Sequence, residues 1–130
     1  MSDGPVVIDA SALLALLQGE PGADVVAGLL IRGVMSAVNL SEVVAKLTEH
    51  GMPAEAARTA LDGLPIDVHP FDREAAHSAG ELRSVTRSAG LSLGDRACLA
   101  LAMRLGVTAV TADRAWASLG ERIGVVTVIR

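Results

Sequence analysis

The sequence predicts an α/β fold, a three-layer α/β/α sandwich around a short, mostly parallel central sheet. Three observations lead there. Short apolar, β-branched runs alternate along the chain with helical segments that carry cap and stop signals, the pattern of strand–helix units in a parallel sheet. The 130 residues are 51% hydrophobic and 20% charged, long enough for one sizeable core and too apolar for disorder. Aromatic residues make up only 2%, so that core has to be built from Ala, Val and Leu. No repeat, low-complexity stretch or linker divides the chain, and 1–130 reads as a single domain.

The elements follow in order. Val6 to Ile8 is apolar, β-branched and bounded by Gly-Pro and Asp, which predicts a short buried strand. Ser11 to Leu17 has few polar positions and reads as a helix buried on most sides; Gly19-Glu20-Pro21-Gly22 breaks it before a second helix, Ala23 to Ile31. Gly33 leads into a strand over Val34 to Ala37. Asn39-Leu40-Ser41-Glu42 then reads as a helix start, with Asn39 as N-cap and Glu42 as its capping-box partner in the first turn, and the helix stops near His50-Gly51. Pro53 to Leu61 is a further helix, and Ile66-Asp67-Val68-His69-Pro70 an alternating, edge-like strand. Asp72 caps a long amphipathic helix reaching about Ser88. Ser92-Leu93-Gly94-Asp95 is another cap signature, followed by a helix through Ala97 to Leu105 that stops at Gly106. Val107 to Ala112 is a buried strand, a short helical turn surrounds Trp116, and Val125 to Ile129 is the last strand.

Composition excludes several classes of function. With Phe71 and Trp116 as the only aromatics, a base-stacking platform for single strands is not available, and a formal charge of −4 gives no general basic footprint. A nucleic-acid ligand would need a local basic rim or bound metal. The single Cys98, in the apolar stretch Ala97-Cys98-Leu99-Ala100, rules out an internal disulfide and reads as a core residue suited to a reducing compartment. No basic region precedes the first apolar run, and polar residues interrupt every apolar stretch before membrane-spanning length, so the expectation is a soluble cytoplasmic protein. P-loop, Gly-rich dinucleotide and metalloprotease motifs are absent, and His50, His69 and His77 show no ligand spacing to one another or to Cys98.

Four acids stand out by position. Asp9 and Asp113 end two strands, and Glu42 and Asp95 begin two helices, so all four belong to the edge of a parallel sheet where ligands bind. Each has an ordinary explanation: Asp9 and Asp113 as N-caps, Glu42 in a capping box, Asp95 against a helix dipole. Together they require another, because like charges repel and a hard divalent cation is what gathers them. An all-oxygen donor set suits Mg²⁺ or Mn²⁺, with Asp9, Asp95 and Asp113 as direct or water-mediated ligands and Glu42 orienting or deprotonating a water, or holding a second ion. The matching chemistry is phosphoryl transfer. Ser11 and Thr111 would support a carboxylate or touch a phosphate, and Arg96 and Arg114, each next to an acid, are candidates for a phosphate-binding rim.

Val7-Ile8-Asp9-Ala10-Ser11-Ala12, Asn39-Leu40-Ser41-Glu42-Val43, Leu93-Gly94-Asp95-Arg96-Ala97 and Val110-Thr111-Ala112-Asp113 together resemble the motifs of PIN-domain ribonucleases, and within them the VapC-type toxins of bacterial toxin–antitoxin pairs. The resemblance extends over nearly the whole chain. It implies a Mg²⁺- or Mn²⁺-dependent endoribonuclease acting on tRNA or ribosomal RNA, a small protein antitoxin as partner, and a homodimer. The leucine- and valine-rich helices Ser11 to Leu17 and Ala23 to Ile31 carry more apolar surface than so short a pair can bury, which suits a groove for a partner's amphipathic helix. Two alternatives stay open. One is a carboxylate-dependent phosphatase of the haloacid dehalogenase type, with Asp9 as nucleophile; such enzymes resemble this chain less, since Ser11 stands where a second Asp is expected and Lys46 is the sole lysine. The other is a PIN-like module that binds RNA or protein without cutting.

Overall fold

The computed structural model describes residues 4–120 and 124–130. Five strands form one parallel sheet: β1 (Val6–Ile8), β2 (Gly33–Ser36), β3 (Ile66–His69), β4 (Ala109–Thr111) and β5 (Val126–Val128), in the order β3-β2-β1-β4-β5. The helices are α1 (Ala10–Gln18), α2 (Ala23–Leu29), α3 (Ala37–Glu49), α4 (Ala54–Asp62), α5 (Arg73–Val85) and α6 (Leu93–Leu105), with short 3₁₀ turns at Leu30–Arg32, Arg87–Ala89 and Arg114–Ser118.

Side-chain alternation along the strands sorts the core into two layers. Val6 and Ile8 of β1, Met35 of β2 and Val110 of β4 face α1 to α4, meeting Leu13, Val26, Val43 and Ala57. Val7, Val34 and Ala109 face the other way, onto Ala79 and Leu82 of α5, Cys98, Leu99 and Leu101 of α6, and Trp116. A sheet covered on both faces explains why its central strands read as continuous apolar runs. The three-layer expectation is met, and the expected edge strand is β3, at one end of the sheet.

Several boundaries differ from expectation, each for a local reason. Residue Ser36, not Asn39, caps α3: its hydroxyl accepts from the Val38 N–H at 3.2 Å, so the helix begins at Ala37. Asn39 therefore lies inside the first turn and Glu42 in the second, and the capping box expected of them does not exist. α5 ends at Val85 because the Thr86 hydroxyl donates back to the Leu82 carbonyl at 2.7 Å and the chain passes into a 3₁₀ turn. The capping roles of Asp72 and Ser92 are observed, as is the stop at Gly106, whose φ of +69° is the left-handed conformation that ends α6.

Leu99 is fully buried in the layer that also holds Trp116, the only tryptophan. Leu99→Ala is expected to lower stability by about 2–5 kcal/mol. Urea titration followed by Trp116 fluorescence measures this directly.

Candidate active site

The strand order places the site. From β1 the sheet grows to β2 and β3 on one side and then to β4 and β5 on the other, so the order of strand addition reverses between β1 and β4 while all strands stay parallel. Ligands in such sheets bind in the crevice beyond the carboxyl ends of the strands at this point. Asp9 directly follows β1, and Thr111 ends β4 beside it.

Asp9 is buried, only 4% exposed. It occupies the N-cap position of α1 but makes no side-chain cap hydrogen bond, so the capping explanation fails for it. Its Oδ2 instead accepts from the Ser11 hydroxyl at 2.7 Å and the Thr111 hydroxyl at 3.0 Å. Backbone orients both donors: the Ala112 N–H donates to Ser11 Oγ and the Asp113 N–H to Thr111 Oγ1, each at 3.0 Å. With their lone pairs engaged, the hydroxyls turn their protons to the carboxylate. Ser11 and Thr111 thus support Asp9, one of the two roles expected of them. Burial raises the Asp9 carboxyl from 3.8 to about 6; the two hydroxyls pull it down, and the charges of Asp95 and Glu42 push it further up.

Glu42 reaches the same place from the second turn of α3. The Asn39 amide donates to its Oε1 at 2.8 Å, and partial burial, opposed by that bond and reinforced by Asp95, raises its carboxyl above the usual range. The carboxylate lies against the first turn of α6, where a Cβ at Gly94 would collide with it. Asp95 forms a capping box with Ser92: its Oδ2 accepts the Ser92 N–H at 3.0 Å while Ser92 Oγ accepts the Asp95 N–H at 3.1 Å. Here capping and membership of the cluster coincide, because Asp95 also acts on Asp9 and Glu42.

Asp9, Glu42 and Asp95 therefore form one electrostatic group. The Cys98 thiol on α6 lies close enough to feel all three, and burial first, then their charges, push it well above its usual range, which makes it inert. Asp113 stands apart: it is exposed, its Oδ1 caps the following 3₁₀ turn through the Ala115 N–H at 3.0 Å, and it is joined to Asp9 only through Thr111. The arginines are committed elsewhere. Arg96 Nη1 donates to the Ala79 carbonyl at 3.0 Å, binding α6 to α5, and its buried Nε has no partner. Arg114 Nε donates to the Arg130 carbonyl at 3.1 Å. Neither bond faces a phosphate. Lys46 pairs with Glu49 at 3.9 Å on the exposed side of α3, and His69 with Asp67 at 3.1 Å.

Asn39 was not singled out from the sequence as a site residue, yet it is fully buried and touches the cluster most broadly. Nδ2 lies 2.8 Å from Glu42 Oε1, 3.0 Å from the Gly94 carbonyl and 3.4 Å from Asp9 Oδ1. A polar residue one turn before an acid on the same helix face was the available signal.

The donor set suits a hard cation. It is all carboxylate, and a desolvated Asp9 beside two further acids is a charge arrangement that a divalent ion relieves. Among the described residues no three His, Cys, Asp or Glu side chains stand together as a ready-made ligand set. An ion here would be held by one or two carboxylates and reach the rest through water, the mode Mg²⁺ favours.

The raised carboxyl of Asp9 has a consequence for stability without metal. Between pH 4 and 6 the folded protein keeps a proton that the unfolded chain has released, so stability falls as pH rises through that window and levels off above it. The loss should be about 3 kcal/mol. In EDTA, Asp9→Asn should remove most of the slope, leaving the shallower one from Glu42, and should be more stable than wild type above pH 6. Parallel slopes in urea titrations from pH 4 to 7 would place Asp9 outside the desolvated cluster.

Solved structures share this architecture. A toxin–antitoxin complex from Klebsiella pneumoniae superposes with a TM-score of 0.74 at 19% identity, covering 96% of this chain and 98% of that one. VapC20 of Mycobacterium tuberculosis, a sarcin-ricin loop cleaving toxin, gives 0.75 at 19% identity over 88% and 95%. DNA-bound VapBC of Salmonella typhimurium gives 0.74 at 16% identity over 98% and 99%. No curated protein matches the chain. The model of the PIN domain matches residues 6–122, nearly the full length and every acid of the site, and the chain belongs to the PIN-domain family.

Proposed function

We propose that this protein is a metal-dependent endoribonuclease, the VapC-type toxin of a toxin–antitoxin pair, cutting tRNA or ribosomal RNA in the cytoplasm. The observation that carries the reading is Asp9: a carboxylate buried at the switch point, oriented by two hydroxyls rather than used as a cap, with Glu42 and Asp95 beside it. A binding module gains nothing from this arrangement, which lowers stability at neutral pH.

Asp9 and Asp95 would hold Mg²⁺ or Mn²⁺, with Asp113 and Glu42 joining through water. When bound, the ion supplies Lewis acidity toward phosphate and water. Ser11 and Thr111 fix Oδ2 of Asp9, leaving Oδ1 with only the long Asn39 contact. Glu42, half-buried and with a carboxyl raised by that burial, accepts the proton of a water aligned with the phosphodiester, the role of a general base. The water oxygen bonds to phosphorus as the ester oxygen leaves. The phosphatase alternative is disfavoured because Ser11 stands where a second Asp is expected and the only lysine is on the exposed side of α3.

An antitoxin partner is supported by the toxin–antitoxin assemblies among the similar structures and by apolar exposure on the α2 side, where Val25 is 42% and Ile31 80% exposed. The resemblance to VapC proteins also favours a homodimer. No single helix among the described residues is long and apolar enough to cross a membrane.

Cleavage of tRNA and ribosomal RNA should require Mg²⁺ or Mn²⁺ and stop in EDTA. Folded Asp9→Asn should be inactive, and Glu42→Gln should lose about 10²- to 10⁴-fold in rate. Wild-type rates in Asp9→Asn would sink the assignment. Thermal melts give a second readout: Mn²⁺ at a hundred times its dissociation constant should stabilise wild type by about 2.7 kcal/mol. Asp95→Asn, which keeps the cap, should gain much less, whereas equal shifts would leave Asp95 outside the metal site.

A further inference from the structure

The Asn39 amide can lie only one way. Its three polar neighbours, Glu42 Oε1, the Gly94 carbonyl and Asp9 Oδ1, are all acceptors, so Nδ2 faces them and Oδ1 is left buried without a partner. Two protons serve three acceptors. The short bonds go to Glu42 and Gly94, and Asp9 receives the longest contact, at 3.4 Å. An amide with one unsatisfied end is a costly occupant for a fully buried position. Val43 and Leu47 fill the remaining buried positions of α3 with apolar side chains, so packing alone does not call for Asn here.

Gly94 completes the arrangement. It is buried in the first turn of α6, with no positive φ to demand glycine, and the space a Cβ would take is filled by the Glu42 carboxylate. Helix propensity would favour Ala at this position. A buried Asn in α3 and a buried Gly in α6 thus converge on one carboxylate.

We propose that Asn39 and Gly94 form a single positioning device for Glu42, the amide holding the carboxylate and the absent side chain leaving room for it against α6. On the nuclease reading, on which its purpose rests, the device keeps Glu42 beside Asp9 before any cation arrives. The amide stands in part for the positive charge of the ion, and its contact with Asp9 Oδ1 is the longest of the three, at 3.4 Å. Asn39 and Gly94 act through Glu42 and are not themselves catalytic residues.

The first test needs no metal. In EDTA, ¹⁵N-edited spectra of wild type should show an Asn39 side-chain proton protected from solvent exchange, and that protection should fall by the same factor in Glu42→Ala and in Gly94→Ala. Unchanged Asn39 resonances in Gly94→Ala overturn the proposal whether or not the protein is a nuclease. In calorimetric Mn²⁺ titrations, Asn39→Ala and Gly94→Ala should each weaken binding by about 10- to 100-fold, the usual effect of losing a group that orients a metal-site residue. Neither should weaken it further in a Glu42→Ala background. A purely structural role would leave Mn²⁺ affinity intact, lower the melting temperature of Asn39→Ala and raise that of Gly94→Ala, and those results also overturn it. If wild type neither binds Mn²⁺ nor cuts RNA, the nuclease reading fails and the exchange measurement still decides the positioning role. Should Asn39→Ala fail to fold, Gly94→Ala carries both measurements.

Discussion

A carboxylate removed from water at the end of a doubly covered strand is the constraint around which this structure is arranged. Burying an ionised Asp is expensive unless hydrogen bonds replace its hydration. Two hydroxyls, one from the first turn of α1 and one from the end of β4, do this for Asp9, and backbone N–H groups of Ala112 and Asp113 fix the direction of those hydroxyls. The β1–β4 pairing, the turn after β4 and the start of α1 are thereby tied to one side-chain oxygen. Burial still outweighs this support, and the neighbouring charges add to it, so the carboxyl stays raised. The molecule holds a desolvated acid in place without fully stabilising its charge, a perturbation that clusters at functional sites.

The acids divide into two kinds by what else they do. Asp95 and Asp113 serve as helix caps as well, and their positions have a local structural justification. Asp9 and Glu42 cap nothing: one is bound by hydroxyls, the other by a buried amide. No local helix chemistry accounts for this second pair, and burial raises both carboxyls. Two acids that cap no helix and are oriented by dedicated partners mark a site more strongly than four acids on one sheet edge.

The fold persists at 16–19% identity to the solved toxins, with TM-scores of 0.74–0.75. Few positions need to be shared for a parallel sheet with small apolar residues on both faces, since the alternation of strand and helix sets the architecture. Activity is a different matter and has to be argued from the site itself. Here that site depends on residues brought from four separate elements, with Ser11 and Thr111 joined across 100 positions of sequence.

The sequence by itself determined the layer architecture, the parallel sheet with β3 at its edge and the helix stops before Gly19, Gly51 and Gly106, because periodicity and cap chemistry act over a few residues. It also located Asp9, Glu42, Asp95 and Asp113 at the strand and helix ends. Only the tertiary structure decided what each acid does. Hydrogen-bond competition moved the start of α3 from Asn39 to Ser36, which local pattern could not show because Ser and Asn are both good caps. That shift of one turn took Glu42 out of a capping box and sent Asn39 into the interior. Likewise the bonds from Arg96 Nη1 to the Ala79 carbonyl and from Arg114 Nε to the Arg130 carbonyl could not be read from adjacency to an acid, since long side chains bond acceptors that packing brings near. The division follows range: backbone conformation is written locally, while desolvation, charge coupling and the choice among hydrogen-bond partners exist only once distant segments have met.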